Sequence, residues 1–487
     1  MSIEASESVG DAAVSQKKLS GNMGALSLAM TVLAFSAPLT TVAGYIPVSL
    51  MFGGVGSPLL FIMVAAVMLL FGIGYITLNK VVRRSGDFYS FITYGLGKST
   101  GLGAGLTAAV SYFVLLAGVT SYFGVACSDF HRGLTGNAFP WYFYTLTCWA
   151  VVGTLGYLHV ELSAKVLLWV MLAEIVVCLG FSFGVLSVGG DTGMAATAPF
   201  SAGELSKDGV NIPFAMLFAV SFFMGFEATA LYRDEVRDPD KTIPRATYGA
   251  IIFIGAMYTL CAYALVTAYG SSVQQVATDS PATMFSLAFG KYIDGRFQMI
   301  VTMLVLTSAF ASALSTHNVL SRYLFNLGND GALPKFLSNI HEKHSSPFAA
   351  SMSVSTMVLC VLLPFIVLGA KPELLYGQLS GVGTSGIIIL MTVVNISAIV
   401  WFIRKGRKEG VSFAKAFLAP VLSGVFFVGL VTLVAYHFEM LVGGEPGERN
   451  WMLFCLLGVL VAGMALAQYF KANRPEVYER LGRNPTA

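Results

Sequence analysis

Charge is what this sequence has least of. Only 11% of its 487 residues are Asp, Glu, Lys or Arg, less than half of the roughly 25% that a water-facing domain carries. A chain that is 56% apolar, with a mean hydropathy of +0.73, cannot coat itself in polar side chains, so a soluble globular domain, a disordered chain and a secreted disulfide scaffold are excluded together. Cysteine is scarce too. Cys127, Cys148, Cys178, Cys261, Cys360 and Cys455 form no Cys-x-x-Cys pair and sit in or beside apolar runs, so they read as small apolar fillers. Basic runs interleaved with aromatics, zinc spacings, phosphate loops and nucleophile elbows are all missing, which predicts no nucleic-acid partner, no cofactor, no metal and no enzyme. The stretch GLGKSTGLGAG, Gly95 to Gly105, imitates a phosphate loop without its residue order and without a preceding strand, and it reads as a helix entry with close helix packing.

What the chain does have is long apolar stretches. Twelve are legible: Gly24 to Leu50, Pro58 to Leu78, Gly101 to Cys127, Trp141 to Leu158, Leu162 to Val188, Ile212 to Leu231, Ala246 to Tyr269, Phe297 to Leu320, Phe348 to Leu368, Leu374 to Phe402, Phe413 to Tyr436 and Trp451 to Phe470. Each is near the roughly 20 residues a helix needs to cross a bilayer. The expected class is therefore an all-α integral membrane protein of twelve transmembrane helices. The polar residues 1–20 lack the apolar core and cleavage site of a signal peptide and read as a disordered tail, with a second tail at 472–487.

An even number of crossings puts both termini on one side of the membrane. Of the 29 Lys and Arg, 23 then share the side of the termini, and only Arg132, Lys207, Lys291, Arg296, Lys371 and Arg449 lie opposite. Because basic loops stay in the cytoplasm, both termini are expected there, in a multi-pass protein of the cytoplasmic membrane. One span missed or invented would invert every later loop, so the asymmetry also supports the count.

Two spans are unlike the rest. The first carries SAPLTTVAGYIP, Ser36 to Pro47, where Pro38 removes a backbone donor and Thr40, Thr41, Gly44 and Pro47 weaken a helix further. The sixth carries AVSFFMGFEATAL, Ala219 to Leu231, with Gly225 beside the ionisable Glu227 at mid-membrane depth. Pro and Gly also kink membrane helices without breaking them. Interruptions five spans apart point instead to an inverted five-plus-five repeat with a substrate site at the broken helices.

The residues around the sixth span carry a family resemblance. FFMGFEATALYRDEVRDPDKTIPRAT, Phe222 to Thr247, resembles the sixth helix and following loop of the amino acid, polyamine and organocation (APC) transporter family. RRSGDFYSFITYGLGKSTG, Arg83 to Gly101, resembles that family's loop after the second helix. The stretch from Ser312 to Pro347 is similar to its eighth helix and the following R-G-x-D-G-x-x-P loop. The resemblance, nearest to bacterial amino acid and putrescine permeases, implies a LeuT-like fold in one domain, 21–471. Its inverted repeats would span about 24–188 and 212–402, with helices 11 and 12 peripheral at about 413–470. It also implies secondary active import or exchange of a small amine-bearing solute, an amino acid or a polyamine, by alternating access. An ion channel is the remote alternative, and the chain offers neither a carbonyl filter repeat nor a ring of pore charges.

A substrate site follows from that resemblance. Backbone around Thr40, Thr41, Val42 and Ala43 would meet an anionic group, while carbonyls near Gly225 and the rings of Phe222 and Phe226 would meet an ammonium. This chain reads T-T-V where many amino acid carriers have a G-S-G run, which widens the range of substrates, and a family gate aromatic falls on Ser221, so its role passes to Phe222. Tyr112 in the third span is either a substrate contact or packing. Glu227 is expected to act as proton site or substrate partner. Glu174, half-way along the fifth span, is either a proton switch, because burial favours its neutral form, or a hydrogen-bonded tie to the first helix. The first span has no Asp to bind sodium, which favours proton coupling or exchange against a counter-solute, with Ser308 and Ser312 as the possible ion site. His317 reads as an interfacial histidine or a proton group. Glu235 and Arg322 fall where the family's cytoplasmic gate would close.

Overall fold

A computed structural model of the chain describes residue 19 and residues 21–158, 160–190, 196–342, 346–369, 372–408 and 410–482, with backbone alone at 160–167 and 372–374. The N-terminal segment read as a tail, apart from Leu19, and residues 483–487 of the C-terminal one lie outside the described residues.

Among the described residues there is no strand, only an isolated parallel bridge between Met23 and Val236. The principal helices are α1 (Ala25–Ser36), α2 (Ile46–Gly53), α3 (Ser57–Val82), α4 (Asp87–Leu96), α5 (Lys98–Thr135), α6 (Trp141–Leu158) and α7 (Val160–Val188). They continue with α8 (Ile212–Ser221), α9 (Pro239–Tyr269), α10 (Gln298–Asn329), α11 (Phe348–Val367), α12 (Pro372–Trp401), α13 (Ala419–Tyr436) and α14 (Asn450–Asn473).

Ten stretches of the described chain are long and apolar enough to cross a membrane, so this is a multi-pass membrane protein. The sequence predicts twelve, and the difference has two physical sources. Ala25–Val82 forms one apolar run of 58 residues that holds both the first and the second predicted spans. α6 is not among the ten; it carries Thr145, Thr147 and Thr154 with Tyr142, Tyr144 and Tyr157, which dilute its hydropathy.

α5 is the axis of the packing, lying along α10, α12 and α14. At 38 residues it is about 57 Å long, well beyond the roughly 30 Å hydrocarbon core. Glycine lets its neighbours come close. A Cβ at Gly103 would lie 2.5 Å from the Leu460 carbonyl oxygen, and one at Gly463 would lie 2.6 Å from the Gly103 Cα. The glycine-rich stretch that imitates a phosphate loop is thus the entry of α5 and the site of close approach to α14. All six cysteines are free thiols; Cys148, Cys178 and Cys261 are buried, while Cys360 and Cys455 are exposed.

Both predicted interruptions are present. α1 ends at Ala37, a non-glycine residue with φ of 44°, and a π-helical turn over Thr41–Tyr45 precedes α2. α8 ends in turns at Phe222 to Met224, Gly225 takes φ of 108°, and the chain continues as a 3₁₀ helix over Phe226–Glu235. A Cβ at Gly225 would sit 2.6 Å from that of Phe35, so glycine is required there twice over, for its dihedral and for its contact with the other interrupted span. The packing of α5 on α14 yields a test. Gly103→Ala is expected to destabilise by about 1–3 kcal/mol, read as a lower apparent melting temperature of the detergent-purified protein, whereas Gly458→Ala, where a Cβ meets nothing within 4 Å, should leave it unchanged.

Candidate functional site

The two interruptions face each other across a cavity of about 270 Å³. The first-span break and its flanks contribute Phe35, Ser36, Thr40, Thr41 and Tyr45; the end of α8 and the sixth-span break contribute Phe218, Ser221, Phe222 and Met224. Tyr122 of α5, Ser312 and Thr316 of α10 and the stretch from Tyr376 to Thr384 of α12 add to it, with Val48, Leu115, Val119 and Leu441 as apolar lining. No charged side chain is among the described residues that line it. Hydroxyls and rings make up its polar surface, and the volume suits a small solute, being just below the usual range of about 300–1,000 Å³ for ligand pockets.

Backbone groups freed by the interruptions need partners, because a bilayer supplies none. At the first break, the Leu39 N–H donates to Glu174 Oε2 at 3.1 Å, and the Thr40 N–H donates to Ser308 Oγ at 3.2 Å. Ser308 in turn donates to Glu174 Oε2 at 2.7 Å. At the sixth break, the Gly225 N–H donates to Glu227 Oε2 and the Tyr112 hydroxyl to Oε1, both at 2.8 Å. Each interruption is therefore held by one fully buried glutamate. The two differ in one respect: both Glu227 oxygens are bonded, while Glu174 Oε1 has no partner among the described residues. Ser36 joins the breaks, its hydroxyl donating to the Phe222 carbonyl at 3.0 Å and meeting the Tyr258 hydroxyl.

Of the predicted substrate contacts, Thr40, Thr41 and Phe222 line the cavity. Val42, Ala43, Tyr112, Gly225, Phe226 and Glu227 do not; Tyr112 and Glu227 lie behind it, bonded to each other, and Phe226 packs edge-on against Phe71 at 5.9 Å. The N–H groups of Leu39, Thr40 and Thr41 are occupied by Glu174, Ser308 and the Ala37 carbonyl. Ser312 faces the cavity and donates to the Phe35 carbonyl at 2.9 Å. His317 is buried, with Nε2 3.2 Å from Ser355 Oγ and Nδ1 unpartnered among the described residues.

Away from the cavity, one end of the bundle is sealed. Glu235 and Arg322, each 2% exposed, form a bidentate pair at 2.6 and 2.7 Å. The Arg322 guanidinium also lies 4.1 Å from the centre of the Tyr232 ring. Arg84 pairs with Asp330, which accepts from the Tyr89 hydroxyl at 2.7 Å and from the Gly482 N–H at 3.1 Å. The Ser85 hydroxyl donates to the Leu231 carbonyl at 2.7 Å, tying the loop before α4 to the 3₁₀ segment. At the opposite end Tyr45 is 39% exposed at the cavity rim. Sequence reasoning passed over Asp87, Tyr122, Tyr376 and Asp330. A signal for α12 existed in the small-residue run Gly377 to Gly386, unusual inside an apolar helix, and Asp87 stands as a lone acid in the quoted SGDFY stretch. No cluster of three or more His, Cys, Asp or Glu suited to a metal ion occurs among the described residues.

The profile of the amino acid permease family matches residues 27–461. The chain belongs to that family. Its relatives include a transporter of Mycobacterium tuberculosis strain H37Rv, 24% identical over 446 residues, covering 85% of this chain and 86% of the other. The L-asparagine permease of Salmonella typhimurium is 25% identical over 370 residues, 73% of this chain and 71% of its own. A low-affinity putrescine importer of Escherichia coli K12 is 26% identical over 269 residues, 54% and 55% of the two chains. The permease is thus a membrane transporter by family, and the site described above lies within the matched region.

The sealed end gives a measurable expectation. Removing one member of a buried ion pair leaves the other charge uncompensated, at a cost of about 3–5 kcal/mol, whereas replacing both with apolar residues is much less costly. Arg322→Met should lower the apparent melting temperature markedly, and the Arg322→Met, Glu235→Leu double variant should recover most of the loss.

Proposed function

We propose that this permease is a secondary active importer that carries an amino acid across the cytoplasmic membrane by alternating access, coupled to protons. The cavity carries the reading: it lies where two helix interruptions meet, Tyr45 on its lining leaves 39% of its surface uncovered, and the bundle is shut at the buried Arg322–Glu235 pair. One reachable side and one sealed side is what a single conformation of such a carrier needs.

The proposed fold is LeuT-like, with twelve crossings. In support, a run of 58 residues would be about 87 Å long as a single rod, close to three times the hydrocarbon thickness, so Ala25–Val82 has to cross twice. The matching interruptions of the first and sixth spans support inverted repeats, with α13 and α14 outside them. The Lys and Arg excess lies with Arg322, which supports placing the sealed end and both termini in the cytoplasm and reading this conformation as outward-facing.

An amino acid is favoured over a diamine because the described lining holds no carboxylate. Two ammonium groups would enter with nothing to compensate them, while a zwitterion brings opposite charges together. The substrate ammonium is assigned to carbonyls of the sixth-span break and the face of Phe222, and its carboxylate to the tyrosine-lined end formed by Tyr45, Tyr122 and Tyr376. For coupling, the unpartnered Glu174 Oε1 beside the first-span break supports a proton site. The first span supplies no Asp to complete a sodium site with Ser308 and Ser312, which favours protons over sodium. No step requires catalysis or a cofactor.

Uptake into proteoliposomes tests the reading. Radiolabelled asparagine or leucine is expected to accumulate when the outer solution is acidified, to be indifferent to replacing sodium by choline, and to outcompete putrescine. Glu174→Gln should keep exchange and lose the pH dependence. Uptake that follows sodium alone, or a preference for putrescine, overturns the assignment.

A further inference from the structure

Beneath the sixth-span break lies a second buried carboxyl to which the transport reading gives no role. Asp87, fully buried, opens α4 in the loop after α3, with φ of 43°. Its Oδ1 is 2.8 Å from the Tyr75 hydroxyl and its Oδ2 accepts from the Tyr323 hydroxyl at 2.9 Å. The Tyr75 hydroxyl also contacts the backbone carbonyl oxygen of Glu227.

Proton counting decides what this arrangement holds. A phenol has one hydrogen, and a carbonyl oxygen only accepts. If Asp87 is a carboxylate, Tyr75 has one proton for two acceptors, which have to share it or leave one contact lone pair against lone pair. Each contact has a hydrogen of its own only if Asp87 Oδ1 carries the proton and donates to the Tyr75 oxygen, which then donates to the Glu227 carbonyl. Every element packed against this group agrees. The sixth span brings the Glu227 carboxyl; α5 brings Tyr112, whose hydroxyl is given to Glu227; α3 and α10 bring Tyr75 and Tyr323. From its own loop and helix come Arg84 and Tyr89, both bound to Asp330. The other buried cations of this end, Arg322 and Arg233, pair with Glu235 and Asp240. Burial, and secondarily the nearby Glu227, hold the Asp87 carboxyl well above the usual carboxylate range.

We propose that Asp87 is a proton-binding latch: neutral while this end of the bundle is closed, and ionised, with its proton passed to water, when α3, α10 and the 3₁₀ segment part. Its closed-state affinity for the proton exceeds that of the open state, so closure is favoured at low pH and is lost as pH rises through the closed-state value. The closing step then takes a proton from the aqueous phase on this same side, which makes that step sensitive to the pH of that compartment, separately from any response to pH on the cavity side. The role as a latch rests on the alternating-access reading; the protonation itself does not.

Two measurements on the full chain test it, neither using a transported solute, so failure of the transport assignment would appear in uptake assays and leave these readings intact. The infrared spectrum at neutral pH should contain a carboxylic-acid C=O band that Asp87→Asn removes. Hydrogen exchange of the segments 85–96 and 320–330, corrected for the intrinsic rate, should accelerate with pH by up to about tenfold per unit across the ionisation window. Asp87→Asn, whose amide donates to Tyr75 and accepts from Tyr323 as the neutral acid does, should stay protected at every pH. The proposal is overturned by an unchanged infrared band, by wild-type pH dependence in Asp87→Asn, or by a variant that is open at all pH values, which would mark the carboxyl as purely structural.

Discussion

A helix opened in the middle of a bilayer must find new partners for the backbone groups it releases, and this requirement organises the molecule. Lipid offers no hydrogen bond, and each unsatisfied amide costs several kcal/mol. The chain answers with two buried glutamates. Glu174, from α7, accepts from the Leu39 N–H of the first break, and Glu227, from the sixth break itself, accepts from the Gly225 N–H. Their second connections lead outward: Glu174 through Ser308 to α10, and Glu227 through Tyr112 to α5. The residues that make the cavity possible thus also fix the long helices that form its walls.

The same glutamates stand in unequal positions. Glu227 is saturated by an amide and a phenol, whereas Glu174 keeps one oxygen unbonded. Among the described residues, the ion pairs with both partners buried lie at the sealed end, Arg322 with Glu235 and Arg84 with Asp330. The cavity lies apart from those pairs, among hydroxyls and rings, and a solute in it feels backbone dipoles rather than fixed charges.

Much of this was legible in the residues. Pro38 and Pro47 announce the first interruption, because each removes a backbone donor, and Gly225 the second, because it permits a dihedral a helix cannot hold. Glu174 and Glu227 stood out because charge is so rare in such a chain. The cavity lining was less legible. Tyr122 and Tyr376 are ordinary aromatics in membrane helices, and only the packing of α5 against α12 brings their rings to 5.2 Å. Nor does sequence tell whether a backbone N–H at a break is free for a ligand. Thr40 and Thr41 reach the cavity, but the amides of Leu39, Thr40 and Thr41 are spent within the protein. Asp87 escaped notice because its partners come from α3 and α10, far apart in the chain.

Both ends of the described chain reach the sealed end. The Met23 N–H donates to the Glu235 carbonyl at 3.0 Å and its carbonyl accepts from the Arg237 N–H at 2.9 Å, while Gly482 reaches Asp330 and Tyr89. Met23 is thereby pinned to the very residue that grips Arg322. Any displacement of Met23 therefore reaches that ion pair through a single backbone hydrogen bond, with a second one holding Arg237 two residues on.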